Sequence, residues 1–513
     1  MANSSTSGNK TIAKNTLYMY FRMFITMLVG LYTSRVVLRI LGVDDFGIYN
    51  VVGGLVVLFS FINSGMAAGT QRHLSYELGK KDGNIKLIYS ASYHIHIGVA
   101  CVVLVFAETL GLWFLNTQMN FPENRMQVIN WVYQISVVNC IVNTLRVPDN
   151  AAILAYERMS FYAYMGILEA LLKLAIVFLL YIIPHDKLVV YSVLILVVSL
   201  IINLFFLFFC HNKLSDIKFA WVNDRTTYKY LLGFSMWALF GSVANVFLQQ
   251  GINIIANIFF GVAMNAAIGI ANQVNSHVFA LTNGFQQAFA PQLTKVQASH
   301  DRLRQSELIC LSAKFSYFIT LVIVCPMVLN MDYILYLWLG QYPDHTSEVS
   351  KIMLYGVLIE TLSGPLWITI FATGKIQTYQ FVISVLLLMN IPISYVGGLL
   401  GMTVETMYLI RNIIYVAALL VRLGFMKKMI DFDIKRFVSQ TLLPIFAVTV
   451  IISALYLIVP HGFLDCKSFV RFTLLGIAEV SLVSLVILFL GLNVKERQFF
   501  KNLVVSKLIS SKR

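Results

Sequence analysis

Residues 245–261 read NVFLQQGINIIANIFFG. Amides recur at Asn245, Gln249, Asn253 and Asn257, one every fourth residue, and Val, Phe, Leu and Ile fill most of the gaps. On an α-helix that spacing places all four amides on one face. An amide in hydrocarbon costs free energy unless it is hydrogen-bonded. The stretch therefore describes a helix apolar enough for a bilayer, with one stripe that must be either bonded or wet.

That the helix belongs in a bilayer follows from the rest of the chain. Hydrophobic residues make up 58% of 513, charged residues only 12%, and the mean hydropathy is +0.76. No soluble core needs that much apolar sequence. Spans long enough for a hydrocarbon layer of about 30 Å are expected at 14–41, 46–69, 85–116, 126–154, 161–183, 187–211, 228–258, 262–290, 306–330, 346–373, 377–400, 403–425, 438–460 and 468–492. The polar start runs directly into the first span without a small-residue cleavage site, so that span is expected to serve as the insertion signal.

The net charge of +14 has its explanation in the positive-inside rule, and no nucleic-acid partner is expected. Lys and Arg gather in alternate connections, for example Arg72, Lys80, Lys81 and Lys86, then Lys213, Lys218, Arg225 and Lys229, then Lys427, Lys428, Lys435 and Arg436. Both basic termini join them, whereas the opposite connections hold little beyond Arg125, Lys187 and Lys467. The asymmetry predicts a multi-pass protein with both termini in the cytoplasm. Outer connections such as LGQYPDHTSE (339–348) and GLLGMT (398–403) are too short to fold as domains. Cys101, Cys140, Cys210, Cys310 and Cys325 fall in apolar spans and Cys466 in a loop, with neither disulfide nor metal-site spacing. No metal and no cofactor are expected.

A faint internal repeat organises the spans. ILGVDDFGIYNVVGG (40–54), ahead of a basic segment, aligns after a three-residue insertion with FFGVAMNAAIGIANQVN (259–275), ahead of another. Gly42 meets Gly261, Gly47 meets Gly269, and Asn50 meets Asn272. The offset is an even number of helices, so the copies are parallel, a common transporter plan with the substrate path between halves. The expected architecture is all-α, with about fourteen transmembrane helices: a six-helix lobe over 1–215, a second over 216–430, and a helix pair with a basic tail over 431–513.

Polar residues inside spans nominate a site. Asn245, Gln249 and Asn253, with Asn272, Ser276 and His277 on the next helix, are read as substrate-binding residues facing a watery cavity. The alternative is that such amides bond helices together in a dry interface. Intramembrane charges cost about 2.5 kcal/mol or more each at the bilayer centre, and basic ones outnumber acidic. Arg22 and Arg35 are candidate anion contacts, since guanidinium groups bind phosphate oxygens two at a time. Glu360, with no basic neighbour in its own span, is a candidate for ion coupling, and Glu169 and Lys173 form a second candidate whose i, i+4 spacing also suits an internal ion pair. Arg146 and Asp149 flank Pro148, where a pair at a proline kink is at least as good a reading as a binding role.

LRILGVDDFGIYNVVGG (38–54), through Arg39, Leu41, Gly42, Asp44, Asp45, Gly47 and Tyr49, resembles the first two helices of polysaccharide-biosynthesis flippases of the multidrug/oligosaccharidyl-lipid/polysaccharide (MOP) superfamily. LRVPDNAAILAYERMSFYA (145–163) is similar to that family's fourth helix and the turn after it. The resemblance implies a non-enzymatic carrier in the bacterial inner membrane. It would move undecaprenyl-pyrophosphate-linked glycan to the outer leaflet by alternating access, alongside other polysaccharide-assembly proteins. H+ and Na+ both remain open as the coupling ion. A cation-coupled multidrug exporter of the same superfamily is the alternative, disfavoured by the basic excess. A membrane polysaccharide polymerase is a further one; Asp431 and Asp433 resemble a metal-binding Asp-x-Asp, but no nucleotide-sugar domain surrounds them.

Overall fold

The computed structural model describes residues 2–58, 66–67, 70–71, 73–74, 77–78, 84–156, 158–214, 217, 219–222, 224–298, 301–373, 376–458, 468–493 and 496–497. The basic residues Arg72, Lys80 and Lys81, most of the basic tail and the side chain of Gln287 lie outside that set. Among the described residues there is no strand, and twelve helices are long and apolar enough to cross a membrane. The protein is an all-α, multi-pass membrane protein.

The first of these helices, α1 (Ala2–Val57), contributes an apolar stretch of 36 residues. Unbroken, it would be about 54 Å long, nearly twice the hydrocarbon thickness. It is broken at Gly42, whose φ of 78° and ψ of 174° belong to a region that essentially only glycine enters. Gly261, aligned with Gly42 in the sequence repeat, has φ 79° and ψ −173°. The two copies thus turn by the same backbone device.

Contact density groups the chain into two compact units: residues 1–269, 341–344 and 387–402 in the first, and 270–340, 345–386 and 403–513 in the second. The lobes at 1–215 and 216–430, and the pair beyond, stay a proposal about the repeat.

In the first unit α1 is followed by α2 (Ile85–Phe106), α3 (Met126–Leu145), α4 (Val147–Ala155), α5 (Met159–Ile182), α6 (Lys187–Lys213), α7 (Arg225–Phe260) and the start of α8 (Val262–Ala298). A core of Ile48, Val52, Leu55, Val103, Ile129, Val132 and Tyr133 ties α1, α2 and α3 together. Gly47 packs so closely that a Cβ would collide with the Val262 carbonyl, and a Cβ on Gly269 would stand 2.7 Å from the Asn50 side chain. The second pair of aligned glycines therefore marks where the two copies' helices touch. Arg125 clasps the connections at one end, bonding Asp45 at 2.5 Å and Asp186 at 2.5 Å. Partial burial pushes the Asp186 carboxyl up; the bonds from Arg125 outweigh it and hold that carboxyl below its ordinary range.

The second unit contains the rest of α8, then α9 (Arg302–Leu329), α10 (Thr346–Ala372) and α11 (Gln377–Leu388); α12 (Asn390–Leu399) belongs to the first unit. It continues with α13 (Val404–Ile430), α14 (Leu443–Ile458) and α15 (Phe469–Val486). Its centre is the seam of α10 on α13, where Met353, Leu354, Val357, Met407 and Tyr408 are buried. Asn412 donates to the Ile352 carbonyl at 2.8 Å across that seam. Helix α8 is not among the twelve apolar helices, because Asn265, Asn272, Gln273, Asn275, Ser276, His277 and Asn283 interrupt it. Counting α8, and the two arms of α1 separately, gives fourteen helical segments among the described residues, in line with about fourteen expected; of the span expected at 46–69, residues 59–65 and 68–69 lie outside the described set.

Candidate functional site

Helix α5 presents Tyr162, Gly166, Glu169 and Lys173 at helical spacing on one face. Arg22 of α1 lies over it. Its guanidinium carbon is 4.5 Å from the Tyr162 ring centroid, a cation–π contact. The stem of Arg22 crosses Gly166, where a Cβ would stand 2.8 Å from Cδ. That glycine is what lets the arginine lie down on the helix.

Around Glu169 the charges converge. Lys173 Nζ donates to it at 2.7 Å, Arg146 Nη1 lies 3.7 Å from its other oxygen, and Arg22 is within electrostatic range. Arg146 also rests against the Phe206 ring of α6 at 5.5 Å. Three cations thus share one carboxylate, leaving two positive charges in excess. The cluster is partly open, with side chains 21% exposed at Arg146, 26% at Glu169 and 39% at Lys173. Arg22 Nε is buried without a hydrogen-bond partner. A buried guanidinium donor left unsatisfied carries a free-energy cost that an anion bound there would remove.

The Arg146–Asp149 pair does not form. Arg146 caps α3 two residues before the α4 proline and turns to Glu169, while Asp149 accepts from the Tyr89 hydroxyl of α2 at 2.7 Å. A one-turn spacing allowed the local pair, but packing on α5 offered a carboxylate that already faced the cations.

The amide stripe divides at its middle. Asn245 and Gln249 are exposed and bond each other at 3.3 Å. Asn253 and Asn257 are buried in a knot closed by Asn265, which sequence reading had not singled out. Asn257 donates to Asn265 at 2.9 Å, Asn265 donates to Asn253 at 2.7 Å, and Asn120 N–H donates to Asn257 at 2.8 Å. This half of the stripe bonds helices around the Gly261 turn, so Asn253 spends its amide on structure.

The other nominated residues lie apart from the cluster or in the second unit. Arg35 is exposed on α1. On α8, Ser276 is exposed and donates to the Asn272 carbonyl at 2.7 Å, with Asn272 and His277 partly buried. Glu360 on α10 has cations after all, supplied by α13: Arg411 and Arg422 are both within electrostatic range. Arg411 is 3% exposed and stacks between Tyr408 at 4.9 Å and Tyr415 at 5.6 Å. Arg422 donates to the Tyr379 hydroxyl at 3.2 Å. A cavity of about 700 Å³ in the second unit is lined by Arg304, Glu307, Lys314, Arg436, Gln440 and Glu496. Most of its charge is spent internally, Arg436 on Glu307 at 2.8 Å and Lys314 on Glu496 at 2.7 Å. Among the described residues no group of His, Cys, Asp and Glu is placed to hold a metal ion.

Apolar helices that turn on paired glycines and carry charge inside the bundle define a polytopic membrane protein. Residues 36–343 match the family model described as "Polysaccharide biosynthesis protein", and the chain belongs to that family. Its fold is similar to that of the lipid II flippase MurJ in an inward closed conformation, with a TM-score of 0.64 and 14% identity over 91% of this chain and 98% of that one. It is also similar to an outward-facing multidrug resistance MATE family transporter of the MOP superfamily, at 0.61 and 12% over 82% and 96%. A MOP superfamily transporter from Pyrococcus furiosus, whose reversed binding-pocket polarity suggests a different function, aligns at 0.59 and 12% over 82% and 96%. No curated protein sequence matches the chain.

Proposed function

We propose that this protein is a flippase for a glycan carried on a polyprenyl diphosphate, undecaprenyl pyrophosphate in a bacterial inner membrane. It moves that lipid by alternating access from the cytoplasmic to the outer leaflet, both termini being cytoplasmic, and it catalyses no covalent step. The observation that carries the reading is the cluster of Arg22, Arg146 and Lys173 on one carboxylate, with the Arg22 Nε donor buried and unsatisfied. A diphosphate supplies the charge this cluster lacks, and its oxygens suit two guanidinium groups. A cationic drug would meet two excess positive charges at close range, which disfavours the multidrug reading.

Sugar contacts fall to the exposed amides Asn245 and Gln249, with Asn272, Ser276 and His277 available for the same chemistry. Arg35 keeps a place on the path as an exposed cation. Other polysaccharide-assembly proteins would receive the delivered lipid.

The test is transbilayer movement of a fluorescent polyprenyl-diphosphate glycan in proteoliposomes. Arg22→Ala is expected to slow it at least tenfold, about 1.4 kcal/mol, with insertion and melting temperature kept. Wild-type rates in Arg22→Ala and Arg146→Ala alike would remove the anion site.

A further inference from the structure

Asp149 is left over by the site just described, and its surroundings are unusual. The residue is fully buried. One carboxyl oxygen accepts from the Tyr89 hydroxyl at 2.7 Å; the other, Oδ2, is buried with no hydrogen-bond partner. Among the described residues no cation lies within ion-pair distance of it. A buried carboxylate without a cation and with an unsatisfied oxygen is far costlier than the neutral acid, whose hydroxyl needs less solvation.

The groups facing it do not offset that cost. From α2 come Tyr89 and Tyr93, and His96 lies further along the same helix with its Nδ1 bonded to the Ser92 carbonyl at 2.7 Å. From α6 comes Cys210, whose thiol donates to the Asp149 backbone carbonyl at 3.6 Å. Helix α5, which packs against α4, carries Glu169 and Lys173, bonded to each other and not to Asp149. The one cation within reach in sequence is Arg146, three residues back across Pro148, and it is held by Glu169 at 3.7 Å.

We infer that Asp149 is a proton-binding site, occupied in this conformer, and that its occupancy decides which carboxylate holds Arg146. With the proton on, Asp149 is neutral and Arg146 stays with Glu169 in the anion cluster. With the proton off, the new carboxylate sits one helical turn from Arg146 on a helix kinked between them, and competes with Glu169 for it. Releasing Arg146 from the cluster weakens its hold on an anion. Proton loss at Asp149 and anion release are thereby linked, and binding linkage runs equally in both directions. The link to transport rests on the flippase reading; the proton site itself does not.

Two measurements separate the claims. Infrared difference spectra of the full chain in lipid, wild type minus Asp149→Asn at neutral pH, are expected to show the C=O stretch of a protonated carboxylic acid. Tyr89→Phe should shift that band by removing the donor, and this second variant keeps the test alive if Asp149→Asn does not fold. Absence of a protonated-carboxyl difference would overturn the site. In proteoliposomes holding fluorescent polyprenyl-diphosphate lipid, an imposed pH gradient is expected to change the wild-type initial rate severalfold and to have no effect on Asp149→Asn. Movement of the probe with no gradient effect in wild type overturns the coupling. No movement of the probe in wild type overturns the flippase reading and the coupling with it, while the infrared band still decides the proton site.

Discussion

Each unit of the molecule gathers arginines and tyrosines around a single glutamate, and the two gatherings are built differently. Around Glu169, Arg22 lies flat on Tyr162 across Gly166, Arg146 and Lys173 approach from either side, and the group is a fifth to two-fifths exposed. Around Glu360, Arg411 is sealed between Tyr408 and Tyr415 and Arg422 is bonded to Tyr379. The first has two positive charges in excess and an opening to a ligand; the second has one and is packed into the α10–α13 seam. Charge count alone does not separate a binding cluster from a structural one. Each holds a buried, unsatisfied guanidinium Nε, on Arg22 and on Arg411, and what differs is the exposure of the charged side chains around it.

The comparison breaks most visibly if the sealed cluster is disturbed. Arg411→Ala is expected to lower stability by about 3 kcal/mol, because it empties a packed slot and strips Glu360 of a buried counter-charge. Thermal unfolding in detergent measures this, and an unchanged midpoint would mean that the seam is not held by charge. The open cluster should respond in the opposite manner. Glu169→Gln removes the internal anion that competes with a ligand, so diphosphate-lipid binding should tighten about fivefold, roughly 1 kcal/mol, while transport slows because release becomes limiting. Weaker binding in that variant would instead make Glu169 a ligand-orienting group.

The amide stripe offers a finer contrast within one helix. Asn253→Ala is expected to cost about 1 kcal/mol by removing one of the two acceptors of the Asn265 amide, its bond to the residue-253 backbone carbonyl remaining, and Asn245→Ala to leave stability unchanged, with melting curves as the readout. The smallest effect concerns the Arg125 clasp. Asp186 is held below its ordinary range, so its contribution is fully present above the unfolded value near 3.9 and is lost as pH falls through the folded value. Acid titration should therefore destabilise wild type more than Asp186→Asn below about pH 4.

Much of the fold was readable from residues because bilayer physics leaves few options. Apolar length predicted the spans, and Gly42 and Gly261, aligned in the sequence only as members of the repeat, prove to share a backbone conformation that essentially only glycine enters. The candidate site was readable only as an inventory. Arg22, Glu169 and Lys173 were named, but Arg146 was as readily paired with Asp149, because one-turn spacing within a helix cannot reveal a competing carboxylate on a neighbour. Glu360 looked solitary for a related reason, its arginines lying on α13. Periodicity put four amides on one face without telling which half of that face another helix would cover. Asn265, the keystone of the buried half, escaped notice because it stands alone after the turn.

The most direct measurement is the leaflet in which lipid-linked glycan accumulates when the protein is depleted, read on spheroplasts with a membrane-impermeant glycan-modifying reagent. Completed units protected from the reagent, and exposed again when the wild-type chain but not Arg22→Ala is restored, is the result expected here. Units that reach the outer face without the protein and remain unpolymerised there would contradict the account and transfer the function to polymerisation or assembly.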